Sequence, residues 1–267
     1  MIRGIAHATD FSPQGTPAFL MALRLAVEWR CPLNLLHVKS PHAPDGWQSF
    51  PHVREALIKW GLLGQHAAAE DVASTLGIRV RKVEIRHRSP VDGIAEFMGT
   101  HACDLIVLAT HGRQGLSHLV AGSIADGIAQ QTQTASLLVG PAARSFVDDE
   151  TGALRLRSVV VPIAATPSPV MALHTLGRLF GAMPIQAHYI HVGERAMALH
   201  DGANRPLAVA TVSGPVAETI LRVASDKHAD MLVMPTVGRH GFVDALRGST
   251  TEQLVAAAQC PVLAVPA

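Results

Sequence analysis

Two glycine-rich stretches have the residue types and spacing of an anion-binding loop. In the first, nine residues separate Gly112 from Gly122-Ser123, and in the second nine residues separate Gly238 from Gly248-Ser249. Glycine lets the backbone lie close to a ligand because it has no Cβ. Each Gly-Ser pair precedes a predicted helix, whose first N–H groups lack intrahelical partners. Such amides bind phosphate-sized anions, so each stretch is a candidate phosphate site.

A buried strand is predicted immediately before each candidate loop. The apolar runs begin at Asp104 and Asp230, and short runs of this kind are typical of strands covered on both faces of a parallel sheet. From residue 104 onward, the second copy follows the first at a constant distance of 126 positions, without a gap. The chain therefore contains an internal repeat.

The repeat predicts two domains in the 267 residues, at 1–142 and 157–267, joined by a polar linker at 143–156. In each half, predicted strands alternate with predicted helices. This order gives a doubly wound parallel sheet when the crossovers are right-handed. The predicted fold class is therefore α/β, with two doubly wound parallel-sheet domains.

The two halves differ between their second and third strands. The first half has a mostly helical segment predicted over 52–76, whereas only residues 193–205 separate the corresponding strands of the second half. We expect the second domain to have lost this helix or to keep at most one turn of it. Its sheet is then either shorter there or covered by a partner.

Composition excludes several classes of protein. Hydrophobic residues make up 48% of the chain and charged residues 16%, which is typical of a globular protein. The net charge of +1 and the lack of a Lys/Arg stripe argue against nucleic acid as a partner. No apolar run is long enough to span a bilayer and no signal peptide is recognisable, so we expect a cytoplasmic protein with no membrane partner. Three separated cysteines are expected to be buried thiols.

At these residues the chain resembles a tandem universal stress protein. The family signature is Gly, two residues, Gly, nine residues, then Gly-Ser or Gly-Thr. Here it reads Ala109-Thr-His-Gly112 to Gly122-Ser123, and Pro235-Thr-Val-Gly238 to Gly248-Ser249. Further matches are Thr9-Asp10-Phe11-Ser12, His37-Val38, His191-Val192, Ser89-Pro90, Gly214-Pro215 and Cys260-Pro261-Val262-Leu263.

The resemblance implies a Rossmann-like fold of the adenine nucleotide alpha hydrolase type in each half. Family dimers pair their last strands antiparallel. The two halves are therefore expected to pair through Leu137 to Pro141 and Val262 to Pro266 as a pseudo-dimer within one chain. We also expect two chains to form a homodimer.

The resemblance also implies an adenine nucleotide in the crevice between the first and fourth strands. Ligands of open α/β sheets bind at such a point, where the strand order reverses. By resemblance, Ala8, Thr9 and Asp10 line the adenine and ribose side and Val38 contacts the base. The strand end and the loop toward the phosphates contribute Ala109, Thr110, Gly112, Arg113, Gly122, Ser123 and Ile124, although Arg113 is equally well explained as a solvated loop residue. The second-domain counterparts are Gly238, Arg239, Gly248, Ser249 and Thr250.

Departures from the signature weaken the second site more than the first. Ala109 replaces the first signature glycine and adds a methyl group at the rim. In the second domain Pro235 replaces that glycine and removes an N–H, and Ala164 stands where the first domain has Asp10. The first domain is therefore predicted to be the better binder.

The predicted function is that of a stress-response module that senses ATP, AMP or ADP, with Mg²⁺ possible beside the nucleotide, and acts on an unknown protein partner. The alternatives are an interaction protein that binds no nucleotide and a weak ATP hydrolase. The sequence has no P-loop, no nucleophile elbow and no Cys-x-x-Cys. We therefore assign no catalytic residue, and we assign no metal ligand because the 15 histidines share no spacing.

Overall fold

A computed structural model describes residues 1–42, 50–110, 128, 131–236 and 250–267. Its packing divides the chain into two units. Unit 1 contains Met1–Thr134 and Val147–Arg155, and unit 2 contains Ala135–Phe146 and Leu156–Ala267. The domain limits drawn from the sequence stay a prediction.

Unit 1 contains a parallel sheet in which the strand order is β3-β2-β1-β4. Its elements are β1 (Ile5–Ala8), α1 (Thr16–Trp29), β2 (Leu33–Lys39), α2 (Val53–Lys59), α3 (Asp71–Leu76), β3 (Val80–Arg86), α4 (Pro90–Thr100) and β4 (Leu105–Ala109). Helix α1 contacts β1 and β4, whereas α4 contacts β2 and β3. The chain runs outward from β1 to β3 and then returns to β4 on the other side of β1, so the predicted doubly wound order is confirmed.

Unit 2 repeats this order and adds one antiparallel strand, with the sequence β10-β7-β6-β11-β12-β5 across its sheet. Its elements are β5 (Ala135–Val139), β6 (Ser158–Pro162), α5 (Val170–Phe180), β7 (Gln186–Val192), β8 (Leu199–His200), β9 (Pro206–Leu207), β10 (Val209–Val212), α6 (Val216–Asp226), β11 (Met231–Thr236), α7 (Thr250–Ala257) and β12 (Val262–Pro266). Leu137 of β5 lies opposite Leu263 of β12. The predicted antiparallel pairing of these two closing strands is confirmed.

The helical segment predicted over 52–76 is interrupted. Two short helices cover just over half of it, because α2 ends at Lys59 and α3 begins only at Asp71. Gly61 has a φ of +69°, a left-handed conformation that ends a helix and that glycine adopts without steric cost. The sequence predicts Gly61 and Gly64 as weak points of this segment, and the structure ends the first helix just before Gly61.

The predicted loss of a helix in unit 2 is confirmed, because residues 193–206 form no helix. The two-stranded ladder of β8 and β9 occupies this part of the chain. The strands next to it are thinly covered. Leu33 to Leu36 of β2 are all buried, whereas in β7 only Ile190 is buried. A short hairpin therefore replaces a helix without restoring its coverage of the sheet.

The acidic segment between the repeats packs against the helices of unit 1. The Trp60 indole donates to the carbonyl of Asp149 at 3.0 Å, and Arg24 Nε donates to the carbonyl of Gly152 at 2.9 Å. Gly152 has a φ of +66°, and a Cβ there would collide with the Trp60 ring. These contacts explain why Val147–Arg155 belongs to unit 1.

An aspartate, buried in unit 1 and half-buried in unit 2, precedes the fourth strand of each unit and binds the backbone at the start of the first strand. Asp104 accepts from the Arg3 backbone N–H at 2.7 Å and also from its guanidinium, and its side chain is 3% exposed. In unit 2, Asp230 accepts from the backbone N–H groups of Arg157 and Ser158 at 2.7 and 2.9 Å. The repeated interaction sets the register of the two strands that flank each crevice.

We predict that Asp104→Ala lowers the free energy of unfolding by about 2 kcal/mol, because hydrogen bonds to a charged acceptor are lost inside the protein. Asp230→Ala, the matched change in unit 2, is expected to cost about 1 kcal/mol, since it removes backbone bonds without a guanidinium. Urea denaturation of both variants measures these losses. Equal stability of Asp104→Ala and the wild type would contradict this role.

His7 is a buried neutral histidine in the middle of β1. Its Nδ1 lies 3.0 Å from the carbonyl of Val107 on β4. A carbonyl only accepts, so Nδ1 carries the proton, and Nε2 has no partner among the described residues. Burial lowers the pKa of His7 from 6.5 to about 4. The corresponding position of unit 2 is Val161, which places no titratable group in that strand.

We predict that His7 makes the protein acid-sensitive. The unfolded chain takes up the His7 proton near pH 6.5 and the folded chain only near pH 4, so stability falls as the pH falls through this window. Between pH 7 and pH 5 the loss amounts to about 2 kcal/mol. His7→Val should flatten this part of the urea-denaturation profile, and an unchanged pH dependence would show that other groups cause it.

Candidate functional site

The candidate site lies where β1 and β4 leave the sheet of unit 1. Ala8 lies opposite Leu108 in the parallel register, so Thr9-Asp10 and Ala109-Thr110 follow at the same edge. All of these residues but Leu108 are half-buried. Strand order reverses here because β1 connects outward to β2 while β4 returns on its other side. The structure thus brings together the predicted strand-end residues at the point where an open sheet forms a crevice.

Two hydrogen bonds between residues two positions apart shape the turn after β1. The Ser12 N–H donates to Oδ1 of Asp10 at 2.9 Å, and the Phe11 N–H donates to Oγ1 of Thr9 at 3.0 Å. The Thr9 N–H in turn donates to the carbonyl of Leu36 on β2 at 2.8 Å. The Asp10 carboxylate therefore occupies a fixed position at the crevice.

The Ser12 hydroxyl is a second polar group beside Asp10. Ser12 is 6% exposed, and its Oγ has no hydrogen-bond partner among the described residues. A Cβ built on Gly15 would lie 3.9 Å from Ser12 Oγ and 4.0 Å from Asp10 Oδ1, so both oxygens face the start of α1. A buried hydroxyl without a partner is costly, and a bound oxygen or hydroxyl group would satisfy it.

The end of β2 contributes His37 and Val38. His37 Nδ1 lies 2.9 Å from the carbonyl of Thr9, which requires the proton on Nδ1 and leaves Nε2 as an acceptor. Val38, the predicted contact to a base, is half-buried at the same end of the strand. The ring of Phe11 lies tilted against the His37 imidazole with a centroid distance of 4.1 Å. The end of β2 is thereby joined to the turn that carries Asp10.

The corresponding edge of unit 2 keeps the backbone pattern and lacks the polar groups. His191 Nδ1 lies 2.9 Å from the carbonyl of Ile163, as His37 does from Thr9. The next residue is Ala164, which has no carboxylate. The unit 2 edge therefore has a histidine anchor without an acidic side chain beside it.

The strands at the unit 2 edge also separate earlier. The register of β6 with β11 contains the pairs Val159 with Met231 and Val160 with Leu232, whereas β1 and β4 continue for four pairs. Pro162 and Pro235 stand in this region, and neither has an N–H to donate. The two prolines account for the shorter ladder.

Most of the predicted phosphate-binding residues lie outside the described residues. Of the site residues predicted in the first domain, the structure describes the strand-end residues and Val38. Of those predicted in the second domain, it describes Thr250, the first residue of α7. The predicted residues outside the description are Gly112, Arg113, Gly122, Ser123, Ile124, Gly238, Arg239, Gly248 and Ser249.

The structure adds residues that the sequence prediction did not assign to the site. Phe11 and Ser12 belong to the Thr9-Asp10-Phe11-Ser12 match of the sequence analysis. The sequence itself does not show that the Ser12 hydroxyl lacks a partner among the described residues, or that Phe11 has a positive φ. Phe50 packs edge-on against Phe11 at 5.2 Å although 38 residues intervene, so only the fold brings them together.

No helix in the described part of the chain is long and apolar enough to cross a bilayer. No group of three or more His, Cys, Asp or Glu side chains among these residues is placed to hold a metal ion.

Comparison with known proteins gives a consistent result. Residues 1–140 and 165–266 match the universal stress protein family. Universal stress protein MJ0531 of Methanocaldococcus jannaschii is 41% identical over 54 residues, which are 20% of this chain and 32% of that relative's length. The match therefore spans about a third of that relative.

Two solved structures match nearly the whole chain. A universal stress protein from Archaeoglobus fulgidus superposes with a TM-score of 0.65 and 16% identity, over 98% of this chain and 96% of its own. The protein PA1789 from Pseudomonas aeruginosa, of unknown function, superposes with a TM-score of 0.63 and 16% identity. The match covers 99% of this chain and 92% of PA1789. At this identity the likeness concerns the fold. The family match covers most of both halves, and the chain belongs to the universal stress protein family.

Proposed function

We propose that the protein is an ATP-binding sensor whose nucleotide site is the crevice of unit 1. The observation that supports this most is the fixed carboxylate of Asp10, at the point where β1 and β4 separate. A carboxylate oxygen accepts hydrogen bonds from the two hydroxyl groups of a ribose, and the Ser12 hydroxyl supplies a donor beside it. The site thus matches the polar part of a nucleoside.

Charge decides how the nucleotide is oriented. A triphosphate is strongly anionic, so its phosphates avoid the Asp10 carboxylate and extend toward the end of β4. Backbone amides with glycine spacing follow β4 in the sequence and suit anions. The ribose therefore belongs at β1, the base toward β2 and the phosphates beyond β4.

Unit 2 is proposed to bind ATP weakly. Ala164 offers no acceptor to a ribose, and Pro162 and Pro235 remove amide donors from the rim. Its remaining features are the glycine pattern and the histidine bond to Ile163. Four further expectations stay predictions: a homodimer of two chains, a protein partner, a bound Mg²⁺ and a cytoplasmic location.

We predict that Asp10→Ala weakens ATP binding about tenfold or more, because each hydrogen bond to a carboxylate contributes more than a neutral one. Isothermal titration calorimetry of ATP into wild type and variant measures the change in dissociation constant. Asp226→Ala is the control, since Asp226 is an exposed carboxylate of α6. Equal affinity in all three proteins would exclude Asp10 from the site.

We further predict that the wild-type protein has one tighter ATP site per chain, in unit 1, and binds ATP more weakly in unit 2. The reason is that only unit 1 keeps the carboxylate. Equilibrium dialysis gives the stoichiometry. Two equivalent sites would show that the prolines and Ala164 do not matter, and no binding would favour the alternative of an interaction protein without nucleotide.

A further inference from the structure

A cluster of three rings lies beside the proposed ribose position. The Phe11 ring lies against the His37 imidazole in a tilted arrangement, at a centroid distance of 4.1 Å and an interplanar angle of 37°. The Phe50 ring meets Phe11 at 5.2 Å and 85°, an edge-to-face contact. All three residues are half-buried, so each keeps part of its surface accessible.

Phe11 occupies a backbone conformation that disfavours phenylalanine. Its φ is +62°, in the left-handed region where Gly, Asn and Asp are the usual residues. A glycine would satisfy the turn without steric cost, and what phenylalanine adds is a ring. In unit 2 the corresponding residue is Ala165, which has an ordinary negative φ. Strain retained at a ligand-binding edge indicates that the side chain is needed there.

Specific contacts hold the strained residue in place. The Phe11 N–H donates to Thr9 Oγ1, and the His37 imidazole under the ring is bonded to the carbonyl of Thr9. The ring is thus fixed to the end of β1, one residue beyond Asp10. A base attached to a ribose at Asp10 comes within reach of this ring.

From this arrangement we infer that Phe11, supported by Phe50 and His37, recognises the flat face of a nucleotide base. The inference rests on the proposed function and names what the site selects. Stacking on an aromatic ring tolerates different bases because every base has a π face. The site should therefore bind ATP and GTP with similar affinity and bind inorganic triphosphate, which has no base, more weakly.

Substitution by glycine separates the ring from the backbone. Phe11→Gly keeps the left-handed turn and removes the ring. We expect it to bind ATP about tenfold more weakly than the wild type, with unchanged affinity for inorganic triphosphate. Ala165→Gly is the matched change in unit 2 and should leave both affinities unaltered. Phe11→Asn, which also tolerates positive φ, repeats the test if the glycine variant folds poorly. Calorimetric titration of each protein with ATP, GTP and inorganic triphosphate gives the comparison.

The possible outcomes separate the two proposals. If the wild type binds ATP and Phe11→Gly binds it equally well, the aromatic recognition is overturned and the proposed function stands. An equal loss of affinity for ATP and for inorganic triphosphate in Phe11→Gly overturns it as well, since the ring would then stabilise the site without contacting the base. If the wild type binds no ATP, the proposed function itself fails, and the inference fails with it.

Discussion

The parallel register of β1 between β2 and β4 is the constraint on which the site depends. Four paired positions, from Ile5 with Leu105 to Ala8 with Leu108, bring the ends of both strands to one edge. Asp104 holds this register at the opposite end, because it binds the backbone of Arg3 just before β1. The interactions that stabilise the unit are thus also those that bring Asp10 to the same edge of the sheet as Ala109. Without that register, the carboxylate and the end of β4 would have no common edge.

The two units show which parts of the repeat serve folding and which vary. Asp230 repeats the role of Asp104, and His191 repeats the bond of His37 to the first strand. Both interactions satisfy backbone groups, and their presence in both units indicates a role in folding. The carboxylate of Asp10 and the ring of Phe11 have no counterparts in unit 2, where Ala164 and Ala165 stand. The differences are concentrated at the crevice, which supports a difference in ligand binding between the units.

The sequence predicted the scaffold well because the scaffold depends on periodic burial. Apolar runs located the strands, and the repeat of 126 residues located their second copies. Length alone predicted the missing helix of unit 2. Gly61 was a predicted weak point of the helical segment, but the length of the break between α2 and α3 was not predictable from the glycine alone.

The site was predictable in part. The strand-end residues followed from topology and resemblance, since the ends of neighbouring strands must meet. The Phe11 cluster did not, because it joins positions far apart in the chain and a backbone conformation that sequence statistics disfavour. The unpaired hydroxyl of Ser12 is equally invisible in the sequence, as it depends on what surrounds the side chain in three dimensions.

Backbone amide chemical shifts during an ATP titration test the central claim most directly, because they report both binding and its location. The account predicts saturable shifts at Thr9 to Ser12 and at Thr110, with smaller changes at Ile163 to Thr166. Shifts confined to unit 2, or no shifts at millimolar ATP, would contradict a nucleotide site in the crevice of unit 1.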